Sequence, residues 1–179
     1  MKRMARRIWR NTRGSSLIEM SAGVFVLMLF AIGIAQFATL SMDIDRDGRA
    51  IRSGLDLAWQ IDAETDTPGP EDIEAMARAL GVISKLSEGD AYRLHVSVFD
   101  ADATGTAALH WQQSAGNRAD YPPSLVELSG GAVLLDGRSF TVEDDEKLIV
   151  VEIMRDGHGM ARGEIKHRYG VAYKADPVP

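Results

Sequence analysis

The chain has 179 residues, with 20 Lys+Arg against 26 Asp+Glu and a formal charge of −6. That length sets an expectation of one compact domain with an appendage, and an apolar fraction of 45% excludes wholesale disorder. No cysteine is present, which excludes a disulfide framework, a thiolate nucleophile and Cys-ligated zinc or iron–sulfur centres. The charge is also unevenly placed. Lys2, Arg3, Arg6, Arg7, Arg10 and Arg13 stand in residues 1–14 without an acid, leaving 14 basic and 26 acidic residues for the rest. A basic head on an acidic body disfavours nucleic acid as a partner, because phosphates would be repelled by most of the surface. It suits a membrane topology better.

From Met20 to Met42 run 23 residues without a charge. A helix of that length rises about 34 Å, enough to cross a hydrocarbon core of roughly 30 Å. No polar face interrupts it between Ala22 and Ala35, as a soluble amphipathic helix would require. Six basic residues precede the span, and Asp43, Asp45 and Asp47 follow it, mixed with Arg46 and Arg49. The positive-inside rule therefore places the N-terminus in the cytoplasm and the residues after Met42 outside. A cleaved secretory signal is the rival reading, but the apolar run is too long and Gln36-Phe37-Ala38-Thr39-Leu40 offers no Ala-x-Ala site. Glu19 stands at the cytoplasmic edge of the run. A carboxylate near lipid is either a headgroup-level residue or a functional one.

The string Arg13-Gly14-Ser15-Ser16-Leu17-Ile18-Glu19, followed by the long apolar helix, resembles the processing site of type IV pilin-like proteins. Within that class the leader, the single helix and the acidic domain look most like TadE/TadF-type pseudopilins of the tight-adherence pilus system. The resemblance covers residues 1–42 and is only compositional beyond them. Met20 departs from it, since such pseudopilins usually carry an aromatic residue after the Glu. The resemblance implies that Gly14 ends a leader cut by a prepilin peptidase and that Ser15 becomes the new N-terminus. It also implies that Glu19 pairs with the α-amine of a neighbouring subunit's Ser15 during assembly. Each charge would neutralise the other where neither is well solvated. The implied partners are the peptidase, other pilin-like subunits, the inner-membrane assembly platform and membrane lipid. The implied place is the bacterial inner membrane, with possible incorporation in a pilus. No cofactor and no catalysis are implied.

Beyond the span, Ile44, Gly48, Ile51, Leu55, Ala58 and Trp59 recur at three- and four-residue spacing, with Arg46, Asp47, Arg49, Arg52, Asp56 and Gln60 on the other face. The spacing predicts that the helix continues through Ile61. Asp66-Thr67-Pro68-Gly69-Pro70 breaks it, and a second helix is expected over Glu71–Val82 with acids in its first turn. Tyr92 to Val98 alternates as a half-buried strand, and Ala107–Gln112 can pair with it. Lys147–Met154 is a tighter apolar run expected in the centre of the sheet, with Glu164–Tyr173 as its partner after the turn Asp156-Gly157-His158-Gly159. Residues 114–146 are cut into short pieces by Pro122-Pro123, Gly130-Gly131 and Asp136-Gly137, and Asp176-Pro177-Val178-Pro179 reads as an unstructured tail. The expected fold is α+β: a basic leader (1–14), a transmembrane helix (15–42) extending into a small antiparallel-sheet outer domain (43–179), a pilin-like plan.

Chemistry-bearing patterns are few. Asp43, Asp45 and Asp47 with Gly48 resemble the opening of a calcium loop, but Gly54 holds the twelfth position where a bidentate Glu is needed. A helix would also point those side chains in different directions, so a charged collar is the stronger reading. His95 and His167 fall on the polar sides of predicted strands, His158 lies in a turn, and with His110 they form no metal-ligand spacing. Glu143-Asp144-Asp145-Glu146 and the set Asp62, Glu64, Asp66 read as solvated charge runs, with a divalent ion as the lesser alternative. Trp59 and Trp111 are expected in the core, Trp9 at the membrane interface. No Gly-x-Ser-x-Gly, P-loop or dinucleotide fingerprint is present. The expected function is thus structural, a minor pilin or assembly protein. The alternatives are a type II secretion-like pseudopilin, which Ser15 disfavours because an aromatic residue is usual there, and an uncleaved single-pass sensor or binding protein.

Overall fold

The computed structural model describes the backbone of residues 2–65, 67–84, 92–118, 120–156 and 165–175. The fold is α+β. Helix α1 covers Lys2–Glu64 and α2 covers Pro70–Ser84. Strands β1 (Tyr92–Ala101), β2 (Ala107–Gly116), β6 (Glu146–Asp156) and β7 (Ile165–Ala175) form an antiparallel sheet in the order β2-β1-β6-β7. Strands β3 (Glu127–Ser129), β4 (Ala132–Leu135) and β5 (Arg138–Phe140) form a second, three-stranded sheet. The chain divides into two compact units, 1–43 and 44–179.

In the second unit the main sheet has a filled layer on each face. Leu94, Val96 and Val98 of β1 lie opposite Ile153, Val151 and Ile149 of β6. These side chains pack with Ala50, Ile51 and Ala58 of α1 and with Ile73, Met76, Ala77 and Leu80 of α2. Phe99, next along β1 after Val98, points to the opposite face by strand alternation. There it joins Leu148, Val150, Val133, Leu135 and Val142 in a second cluster. β1 is therefore buried on both faces rather than half-buried as its alternation suggests, because it is a central strand roofed on both sides.

Two glycines allow the helix to come close. A Cβ at Gly170 of β7 would collide with Cγ2 of Ile51, and one at Gly54 would stand 3.1 Å from Cγ1 of Val151. α2 starts well: Pro70 holds the first position, where a missing N–H is harmless, and the Gly69 amide donates to Asp72 Oδ2 at 2.9 Å. Glu71 and Asp72 complement the positive end of the helix.

Several expectations shift. α2 begins one residue before and ends two residues after the predicted range, and β1, β2, β6 and β7 keep their predicted places with longer ends. The buried face of α1 is Asp47, Ala50, Ile51, Gly54, Ala58 and Asp62, while Ile44 is exposed. The apolar periodicity misplaced Asp47 on the outer face because two buried carboxylates belong to the inner one. The stretch left unread between 114 and 146 holds the small sheet, turned by Gly130-Gly131 and Asp136-Gly137, all four at positive φ. His158, Asp66 and the tail from Asp176 lie outside the described residues.

Candidate functional site

α1 carries one stretch long and apolar enough to cross a membrane. From Glu19 to Met42 every residue is exposed. Thirteen large apolar side chains are among them, including Phe25, Leu27, Phe30 and Phe37. At about 2 kcal/mol for each such side chain left in water, the total is roughly 25 kcal/mol. An exposed apolar surface of this extent is of the kind that lipid or other helices cover. Gly33 leaves a notch on it, and Leu29, Phe30, Gly33, Ile34 and Phe37 line a shallow apolar groove of about 400 Å³. Gly14 and Ser15 lie within the α1 backbone, five residues and four residues ahead of Glu19. The side chains of residues 1–18 are outside those described.

Past the span, the candidate calcium residues are used otherwise. α1 runs unbroken through Asp43, Asp45 and Asp47, so the chain makes no ligand loop there. Asp47 is buried and accepts from Arg155 Nη2 at 2.9 Å, with Arg168 Nε at 3.9 Å. Among the described residues no group of three His, Asp or Glu is placed to hold a metal. Fifteen residues on, Asp62 is also buried rather than solvated: it accepts from Lys147 Nζ at 3.0 Å and from Trp111 Nε1 at 2.7 Å. His110 stands near it at 3.8 Å and reaches Asp100 at 3.2 Å through Nδ1. Both ion pairs join α1 to β6. Fifteen helical residues rise about 22 Å and the eight strand steps from Lys147 to Arg155 span about 26 Å. The two pairs thus pin the helix along the strand at both ends. Glu143, Asp144 and Asp145 remain exposed.

A third polar cluster lies on the sheet face away from the helices. Glu152 is fully buried in β6, opposite His95 of β1. It accepts from Ser124 Oγ, from the Leu125 amide at 2.9 Å and from His167 Nε2 at 3.0 Å. Burial pushes the Glu152 carboxyl up, but these hydrogen bonds outweigh it and hold the group below its ordinary range. His95 is buried rather than polar-facing. Desolvation lowers its pKa against the pull of Glu152, one ring nitrogen bonds the Pro122 carbonyl, and Nε2 has no partner among the described residues. Ser124 and His167 both donate to the same carboxylate, so the histidine does not polarise the serine as a hydrolytic triad requires.

The sequence-predicted residues Gly14, Ser15 and Glu19 share one helix, and Asp43, Asp45 and Asp47 follow on it without forming a site with them. The Glu152 cluster escaped sequence reading because its members come from β1, β6, β7 and the 120–126 segment. A usable signal existed: Glu152 interrupts the most apolar run of the sheet, and a carboxylate in a central strand must find partners. Comparison with protein-family models, with curated proteins and with solved structures finds no match.

Proposed function

We propose that this chain is a pilin-like subunit, a minor pilin or assembly protein of a tight-adherence pilus or related secretion apparatus. A prepilin peptidase would cut it between Gly14 and Ser15, and it would be held in the membrane through 20–42. The observation that carries the reading is the ordered set of basic leader, Gly14, Ser15 and Glu19 ahead of the uncharged stretch Met20–Met42 of α1, whose apolar side chains are all exposed. The same helix enters a compact α+β unit at Ile44, which suits a subunit that is anchored first and packed by its helix later. Residues 1–14 would lie in the cytoplasm and 43–179 outside the inner membrane. Glu19 would then meet the Ser15 amine of a neighbour, and the groove around Gly33 would accept a neighbouring helix.

The test is a leader variant. Expressed beside a prepilin peptidase, the wild-type chain is expected to lose residues 1–14, and Gly14→Arg to keep them and fail to assemble. Normal processing of Gly14→Arg refutes the site. A second reading, an uncleaved single-pass binding protein, draws on the buried Glu152 cluster and requires neither Gly14 nor Glu19.

A further inference from the structure

We propose that the segment Tyr121–Val126 is an acid-releasable strap over the polar half of the main sheet, latched by Glu152. This proposal does not depend on the processing reading. The segment is anchored by a buried Tyr121 at one end and by Val126 against the second core cluster at the other. Between them Pro122, Pro123 and Leu125 are exposed. None of the backbone–backbone hydrogen bonds described outside helices and strands involves residues 121–126. Side chains of the sheet hold the strap instead. Arg93 Nη1 donates to the Tyr121 carbonyl at 3.3 Å, Tyr121 Oη donates to Asp156 at 2.6 Å, and a His95 ring nitrogen bonds the Pro122 carbonyl. The centre of the latch is Glu152, which takes the Ser124 hydroxyl and the Leu125 amide together, and Ser124 Oγ in turn accepts the Val126 amide at 3.1 Å.

The groups facing this latch come from every neighbouring element. β1 supplies Arg93 and His95, β6 supplies Glu152 and Asp156, and β7 supplies His167 and Tyr169, while Tyr121 of the strap lies beneath Arg118, which pairs with Asp120 and stands 3.9 Å from Asp156. Of these, two respond to acid in the same sense. Protonation of Glu152 removes the charge that holds three donors. Protonation of His95 puts a proton on Nε2, which is buried without an acceptor, beside Arg93 and His167. Either event loosens the strap while leaving the apolar cores untouched. A released strap uncovers a bed of His95, Glu152 and His167.

Hydrogen exchange on the full chain in detergent micelles tests this, comparing about pH 7.5 with about pH 3 after correction for intrinsic rates. Exchange at Ser124, Leu125 and Val126 is expected to rise about tenfold in acid, the equivalent of one lost charge-assisted bond, while Ile149–Val151 stay protected. Glu152→Gln is expected to exchange fast at both pH values, and His95→Gln to blunt the acid response. Equal corrected rates in the wild type at the two pH values overturn the proposal, as does a rise that appears only together with Ile149–Val151. Should Glu152→Gln not fold, the wild-type comparison and His95→Gln decide alone.

Discussion

Removal of the Asp47 carboxylate is the sharpest test of how α1 is seated. Asp47 and Arg155 are 5% and 8% exposed at the side chain and meet at 2.9 Å, and Arg155 Nε already lacks a partner. Asp47→Leu therefore leaves a guanidinium buried with no counter-charge among the described residues. Breaking one partner of such a pair destabilises by about 3–5 kcal/mol. The double variant Asp47→Leu/Arg155→Met removes both charges and replaces them with apolar volume, a change that is often near neutral. The account predicts that the single variant lowers the unfolding free energy of the full chain in micelles, read from a urea titration, by that amount. The double variant is predicted to recover at least half of it. Tryptophan fluorescence follows the transition through Trp111, which is buried in the core cluster of the helix face. A single variant within about 1 kcal/mol of wild type refutes the reasoning, because the pair would then behave as a solvated surface bridge.

Other predictions follow from the same contacts. Gly170→Val places side-chain atoms inside Ile51 and is expected to destabilise by about 1–3 kcal/mol; Ile51→Ala in the same chain is expected to relieve part of it, read by the same urea titration. Asp62→Ala removes the carboxylate that accepts from Lys147 and from the Trp111 indole N–H, and is expected to lower the unfolding free energy by about 1–3 kcal/mol and shift the Trp111 emission. The pH response has a definite sign. Glu152 and His95 both have folded pKa values below their ordinary ones, 4.5 and 6.5, so the unfolded chain takes up protons first. The stability they supply is present above about pH 6.5, falls as His95 is protonated below that, and falls again below about 4.5 with Glu152. A urea midpoint that rises between about pH 6.5 and pH 4 contradicts this.

What the sequence disclosed depended on whether a signal was local. The apolar stretch of α1 was plain because 23 uncharged residues stand in a row, and the strands of the main sheet were plain because apolar residues alternate or run together within each. The two-residue hairpin turns were also written locally. Asp136-Gly137 and Gly130-Gly131 supply the positive φ that such turns require, although punctuation alone did not show that the pieces between them pair into a sheet. Long-range partnerships were hidden. Asp47 looked like collar charge until Arg155, 108 residues away, was folded against it. Asp62 looked solvated until Lys147 and Trp111 met it. The Glu152 cluster assembles from four separate stretches, and only the strand register brings His95 opposite Glu152. The string around Gly14 that carries the processing proposal is the reverse case, a run of neighbouring residues whose reading needs no fold.

The central claim is that this chain is itself the substrate of a membrane peptidase before it becomes a subunit. Intact mass with N-terminal sequencing of the membrane-extracted protein, made with and without a prepilin peptidase, tests it most directly. The account predicts a mature chain that begins at Ser15 only when the peptidase is present. A chain that keeps Lys2 to Arg13 under both conditions contradicts it, and leaves an anchored binding domain in its place.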